Sequence, residues 1–234
     1  MRLDKFLSTC FLGSRKEVKL LINQKKIKVN GIIINKEEYQ VNEINDIVTY
    51  NDKIVKYQKY YYFMLNKPSG YISAKRDDKH QTVMDLFNNL PSKLVDELMI
   101  VGRLDIDTEG LLLITNDGSF VHHLTSPNHH IEKVYDVYHD KKLVENAIEI
   151  VKKPIILKDT TFLPSKLEII DDLHCIITIT EGQFHEVKRI IYHLGANVTK
   201  LKRTKIDSLT LPVDLEVGQY VELTKEQVDK LKSN

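Results

Sequence analysis

The run Leu111-Leu112-Leu113-Ile114 constrains the fold more than any other segment, because four consecutive apolar side chains leave a strand no face for water. Such a strand has to lie inside the molecule, covered on both sides. Met99 to Val101 reads as the end of a second strand, and Asn116-Asp117-Gly118 as the turn after the run. Between the two strands the chain carries charge, in the order Gly102-Arg103-Leu104-Asp105-Ile106-Asp107-Thr108-Glu109-Gly110. A loop anchored in the core at both ends can aim a carboxylate. The local pattern leaves two readings open: Asp105, Asp107 and Thr108 make side-chain to backbone turn bonds, or an aspartate is held out for chemistry.

A chain of 234 residues, 42% hydrophobic, can bury one large core, or one medium core and a small appendage. With 34 Lys and Arg against 33 Asp and Glu the net charge is +1, so affinity for a polyanion has to come from how charge is distributed. It is uneven: the first 30 residues hold Arg2, Lys5, Arg15, Lys16, Lys19, Lys25, Lys26 and Lys28 against Asp4 and Glu17 alone. Cys10 and Cys175 stand far apart, which argues against a disulfide framework and a thiolate metal cluster. The charged opening Met1-Arg2-Leu3-Asp4-Lys5 and the lack of any apolar stretch of membrane-spanning length predict a monomeric cytoplasmic protein without a membrane partner.

Leu3, Phe6, Leu7 and Phe11 stand at helical spacing, and after Gly13 a second helix starts with Ser14 as N-cap and Glu17 three residues later. Lys28 to Ile34 reads as strand, Asn30-Gly31 turn and strand, and Ile47 to Tyr50 as a further strand. These elements make a small module, and the boundary falls at residue 58, with domains 1–58 and 59–234. Beyond it, strands are predicted at 61–65, 98–101, 111–115, 134–138, 165–170, 173–180 and 198–206. Helices are predicted near 82–89, 118–125, 142–150, 184–195 and 225–232. This order fits an α+β domain built on a mostly antiparallel mixed sheet flanked by helices.

If the segment from Ser14 is helical, Arg15, Lys16 and Lys19 share one side while Val18, Leu21 and Ile22 line the other. Lys26 and Lys28 extend the basic side, which is either a solvated lysine face or a phosphate-binding surface. The order Arg-Leu-Asp-Lys-Phe-Leu, Ser-Arg, Lys-Val-Asn-Gly closely resembles the S4 RNA-binding domain over residues 1 to 50. That resemblance implies structured RNA as partner, contacted by Arg2, Lys5, Arg15, Lys16, Lys19, Lys26 and Lys28.

The Gly102 to Leu113 segment is similar to the GRLDxDTxGL motif of the pseudouridine synthases that modify ribosomal RNA. Asn66-Lys67-Pro68-Ser69-Gly70, Lys133-Val134-Tyr135 and Glu181-Gly182-Gln183-Phe184-His185-Glu186-Val187-Lys188-Arg189 follow the family's order. The resemblance implies that Asp105 is the catalytic carboxylate, that Tyr135 packs against a flipped base and that Lys188 pairs with Asp105. Arg189 is the second candidate for that pairing; relatives often carry arginine where Lys188 stands, and a lysine offers a point charge instead of a fork. Arg103 is implied to rearrange the RNA around the flipped base, while Asp107, Thr108 and Glu109 hold the loop. Without the resemblance, Tyr135 reads as core, Lys188 and Arg189 as exposed beside a helical core stripe, and Arg103 as half of a surface ion pair with Asp107 or Glu109.

Lys200, Lys202, Arg203 and Lys205 alternate with apolar residues, so that Lys202, Arg203 and, from the preceding helix, Arg189 are expected to meet RNA. The doublets His122-His123 and His129-His130 invite a metal, but read as strand residues they point to opposite faces, and no metal or other cofactor is expected. Thr125 to Lys133, Gln183-Phe184-His185 and the opening six residues look most like the synthases of small-subunit 16S rRNA, whose target by resemblance is uridine 516. The expected partner is 16S rRNA or a small-subunit assembly intermediate. The alternatives are a 23S rRNA synthase of the same family and a non-catalytic ribosome-assembly protein.

Overall fold

A computed structural model describes residues 1–233. The chain forms two compact units, one of Met1–Tyr61 with Leu90–Asp96, the other of Tyr62–Asn89 with the chain from Glu97 onward. In the first unit, α1 (Leu3–Thr9) and α2 (Arg15–Asn23) close a core over four short strands, β1 (Ile27–Val29), β2 (Ile32–Ile33), β3 (Val48–Tyr50) and β4 (Lys53–Ile54), ordered β2-β1-β3-β4. Leu3, Phe6, Leu7, Val18, Ile22 and Ile27 are sealed in this core. Ser14 and Glu17 form a reciprocal capping box, with Glu17 Oε2 accepting from Ser14 N at 2.7 Å and Ser14 Oγ from Glu17 N at 3.3 Å. The Asn30-Gly31 corner takes positive φ at both positions (+50° and +80°), as the tight turn of a twisted hairpin requires. Phe11, expected on the helical stripe, lies past the end of α1 with φ +58°, so its ring leaves the core.

The second unit is built on nine strands: β5 (Tyr62–Lys67), β6 (Met99–Val101), β7 (Glu109–Thr115), β8 (Lys133–His139), β11 (Lys166–Asp171), β12 (His174–Ile179), β13 (Val198–Ile206), β14 (Leu209–Thr210) and β15 (Tyr220–Glu222). Their order is β11-β12-β8-β13-β7-β5-β15, with β14 on β13 and β6 on β7, and β9 (Ile155–Ile156) pairs separately with β10 (Thr161–Phe162). Among the described strands of this sheet only β7 and β13 pair in parallel, so the sheet is mixed and mostly antiparallel, as the strand and helix order predicted. The apolar run belongs to β7. Leu111 and Leu113 pack with Met64, Phe120, Leu124, Val228 and Leu231 on one face, and Leu112 and Ile114 are buried on the other. That double cover is why β7 shows no alternation.

The helices are α3 (Ser92–Glu97), α4 (Gly118–Thr125), α5 (Ala147–Val151), α6 (Glu186–His193) and α7 (Lys225–Ser233). The helix expected near 82–89 is a short 3-10 segment, Val83–Phe87, cut off before Leu90-Pro91, where the proline disfavours helical backbone in the residue before it. The one expected at 142–150 shrinks to α5, because Val144 N–H bonds to the carbonyl of Leu194 (3.1 Å) instead of entering a helical ladder. Asp117 caps α4 and ties it to its surroundings: its carboxylate accepts from Ser119 N (3.1 Å), Tyr62 OH (2.7 Å) and Lys232 Nζ (3.0 Å). Burial opposes the charge, yet these bonds hold the Asp117 carboxyl well below the usual carboxylate range. Among the described residues no helix is long and apolar enough to cross a membrane.

Candidate active site

One cross-strand row organises the site. Lys67 of β5 faces Gly110 of β7, Gly110 faces Arg203 of β13, Arg203 faces Tyr135 of β8, and Tyr135 faces Ile177 of β12. The parallel contact of β7 with β13 needs the glycine: a Cβ on Gly110 would stand 2.2 Å from the Arg203 carbonyl oxygen, and its φ is +100°. The charged loop 102–108 joins β6 to β7, just ahead of this row.

The loop is held by groups outside it. Lys67, with no exposed surface, donates from Nζ to the carbonyls of Thr108 (2.8 Å), Pro68 (3.0 Å) and Ile106 (3.3 Å). Ser73 Oγ donates to Leu104 O (2.7 Å) and accepts from Leu104 N (3.1 Å), and Gly70 N donates to Ile106 O (2.8 Å). Burial pushes the Lys67 ammonium down to about 8, against the pull of Asp107, Asp105 and Glu109. This corrects the expectation that Asp107, Thr108 and Glu109 hold the loop. Asp107 points to Lys188, Glu109 pairs with Lys200 at 3.6 Å, and Thr108 Oγ1 has no partner among the described residues. Lys67 stood in a recognised motif, but nothing in the pattern indicated that its ammonium is buried against three carbonyls.

Both loop carboxylates meet α6. Lys188 Nζ lies 3.1 Å from Asp105 Oδ2 and 2.6 Å from Asp107 Oδ1, and His185 Nε2 lies 3.6 Å from Asp105 Oδ1. Burial opposes the Lys188 charge, but the bonds to Asp107 and Asp105 hold it above the ordinary lysine range, and the Lys188 bond holds the Asp107 carboxyl below its own against the same opposition. Arg189, the other candidate for that pairing, turns to Asp159 and lies over the Phe162 ring at 5.2 Å from its centroid. The segment leading into α6 is held much as the aspartate loop is. Lys133 Nζ donates to Glu181 O (2.6 Å), and the buried Glu186 carboxylate accepts from Gly182 N and Gln183 N, both at 2.8 Å. Burial pushes Lys133 down to about 8 and raises Glu186.

The resulting cleft is lined by Arg103, Asp105, Thr108, Tyr135, His185 and Lys188 among others. Tyr135 forms its wall, with its hydroxyl 3.4 Å from Arg203 Nη1. Arg203 was expected to contact RNA from an exposed face; it is instead 2% exposed and donates from Nε to Leu111 O at 2.8 Å. Leu201 and Arg203 share the inward face of β13, and a register shift between Arg203 and Lys205 returns Ile206 inward, so the basic cluster is split between two faces. Lys200 is exposed and Lys202 half-buried. Arg103 is exposed and makes no ion pair among the described residues, neither with Asp107 nor with Glu109.

In the first unit Arg2, Lys5, Arg15, Lys16 and Lys19 line a groove in which Asp4 is the one carboxylate. Arg2 is held by Asp4 at 3.0 Å, Lys19 by Glu37 at 2.7 Å and Lys28 by Asp52 at 2.5 Å. Lys5, Arg15, Lys16 and Lys26 are exposed and make no ion pair among the described residues. The first histidine doublet was read on strand geometry, but His122 and His123 lie on α4, and the His123 ring packs 4.6 Å from that of His129. Among the described residues no group of three or more His, Cys, Asp and Glu side chains could hold a metal ion. Cys10 and Cys175 are free thiols, and burial pushes them up to about 11 and about 12.

A mixed sheet that presents a cation-paired aspartate beside a buried tyrosine defines the class: the chain belongs to the RNA pseudouridylate synthase family, whose model matches residues 61–193, and an S4 domain model matches residues 1–48. It is 37% identical to the ribosomal small subunit pseudouridine synthase A of Haemophilus influenzae, over 99% of both chains. It is 41% identical to an uncharacterized RNA pseudouridine synthase of Aquifex aeolicus, over 99% of this chain and 96% of that one. A crystal structure of a pseudouridylate synthase, 36% identical, superposes with a TM-score of 0.70 over 99% of both chains.

Proposed function

We propose that this chain isomerises a uridine of 16S ribosomal RNA, the uridine 516 site, to pseudouridine, with Asp105 as the catalytic carboxylate. The observation that carries the reading is the Asp105 carboxylate 3.1 Å from the Lys188 ammonium at the floor of a cleft walled by Tyr135. The reaction breaks the ribose C1′ to N1 bond, turns the uracil and rejoins it through C5. It therefore needs an ionised carboxylate held near sugar and base, and walls that keep the detached base in place. Lys188 aims Asp105, and Tyr135 bounds the space for the base. Arg103, exposed at the mouth, reaches the RNA from which the nucleotide is flipped. The first 58 residues act as the RNA grip and residues 59–234 as the catalytic domain, working in the cytoplasm on rRNA or an assembling small subunit.

The substrate reading draws on the small-subunit relatives, which match over 97% or more of the chain at 34 to 37% identity. Asp105→Asn is expected to abolish pseudouridine formation while RNA binding survives; substantial residual isomerisation would remove Asp105 from the role. Mapping pseudouridines in a deletion strain tests the substrate. Loss of a 16S position is expected, and loss of a 23S position would redirect the assignment.

A further inference from the structure

We propose that the outward face of α6 is a second RNA subsite, which seats the nucleotide next to the target uridine and stacks its base on Tyr192. The proposal rests on the reading of Asp105 above. Val187, Ile190 and Ile191 of α6 are buried, so His185, Lys188, Arg189 and Tyr192, at i, i+3, i+4 and i+7, share the opposite face. The first two meet the Asp105 and Asp107 carboxylates. The same face then continues as one wall of an open groove, whose other side is formed by Leu157–Asp159 and Asn197–Val198. Because Asp107, His185 and Lys188 line this groove as well, it is an extension of the ground beside the carboxylates and not a separate surface.

Its chemistry suits single-stranded RNA. Lys188 is shared between Asp105 and Asp107 and Asp159 is paired with Arg189, whereas Lys158 lines the groove, is exposed and makes no ion pair among the described residues, so its ammonium is available to a phosphate. Arg189 is held by Asp159 and the Phe162 ring with only one terminal nitrogen in the ion pair, which leaves further donors for a phosphate. The Tyr192 ring lines the groove and is 72% exposed. Flipping a nucleotide strips its neighbour of a stacking partner, and an exposed ring with a cation beside it replaces that loss without reading sequence. A strand whose target uridine sits at Asp105 therefore continues with its neighbouring base on Tyr192 and its phosphate between Lys158 and Arg189.

The test uses the full chain and a 16S rRNA fragment carrying 2-aminopurine on one side or the other of the modified uridine. In Asp105→Asn enzyme, binding is expected to change the fluorescence of one of the two flanking probes, and Tyr192→Ala in that background to abolish the change while Tyr192→Phe restores it. In otherwise unaltered enzyme, Tyr192→Ala is expected to raise KM roughly ten-fold, more than it lowers kcat. Unchanged probe signals and KM in Tyr192→Ala would overturn the subsite. The probe measurement needs no turnover, so a failure of the catalytic reading, seen as isomerisation by Asp105→Asn, is recorded separately.

Discussion

Two sets of cations, one in each unit, do opposite work with the same side chains. In the first unit Lys5, Arg15, Lys16 and Lys26 stand in water, and Lys19 and Lys28 share exposed pairs with Glu37 and Asp52. In the second unit Lys67 and Arg203 are buried and Lys133 is largely so, and each donates to main-chain carbonyls: Pro68, Ile106 and Thr108, then Leu111, then Ile131 and Glu181. An exposed lysine adds long-range attraction that salt screens, whereas a buried one fixes backbone that has no water to satisfy it. The comparison teaches that the loops bearing Asp105 and Lys188 are held from behind by buried cations bonded to their main chain or to the strands beside them.

The largest effect that tests this contrast belongs to Lys67→Met. Three carbonyls lose their donor, and although the desolvation cost of a charge disappears with it, a net loss of about 2–4 kcal/mol is expected in urea unfolding. Pseudouridine formation is expected to drop about a hundred-fold, since a small displacement of a catalytic group is enough for that. Wild-type stability and activity in this variant would break the comparison. A second test uses acid. Asp117 is held below the carboxylate range by Ser119, Tyr62 and Lys232, so its contribution is present above the unfolded-state value of about 3.9 and is lost as pH falls through and below it. The thermal midpoint of wild type is expected to fall over that window, and that of Asp117→Asn, lower at neutral pH, to fall less. The smallest effect on folding is expected for Lys16→Ala in the first unit. Stability should stay within about 0.5 kcal/mol, while RNA affinity drops a few-fold and the slope of affinity against salt decreases by about 1.

Much of the architecture was legible along the chain. The Ser14-Glu17 cap, the Asn30-Gly31 corner and the strands at β5, β6, β7, β8, β11, β12 and β13 all rest on interactions within a few residues or on the period of burial. Asp105, Tyr135 and Lys188, which line one cleft, were singled out together through motifs far apart in the sequence. His185 beside Asp105, the sharing of Lys188 between two carboxylates and the parallel contact at Gly110 had no local signal.

The sequence alone marked most of the strands and helices and which residue types were available for chemistry, because propensity, capping and periodicity are properties of neighbours. The tertiary structure decided which charges are buried. Arg203 and Lys202 are adjacent and look alike in the chain, yet the pleat turns one under Tyr135 and the other outward. Lys67, which stood in a recognised motif with no sign of its burial, is set by the pairing of β5 with β7 under the carbonyls of the aspartate loop. Burial depends on what the rest of the fold brings across the strand, and no short stretch of sequence carries that information.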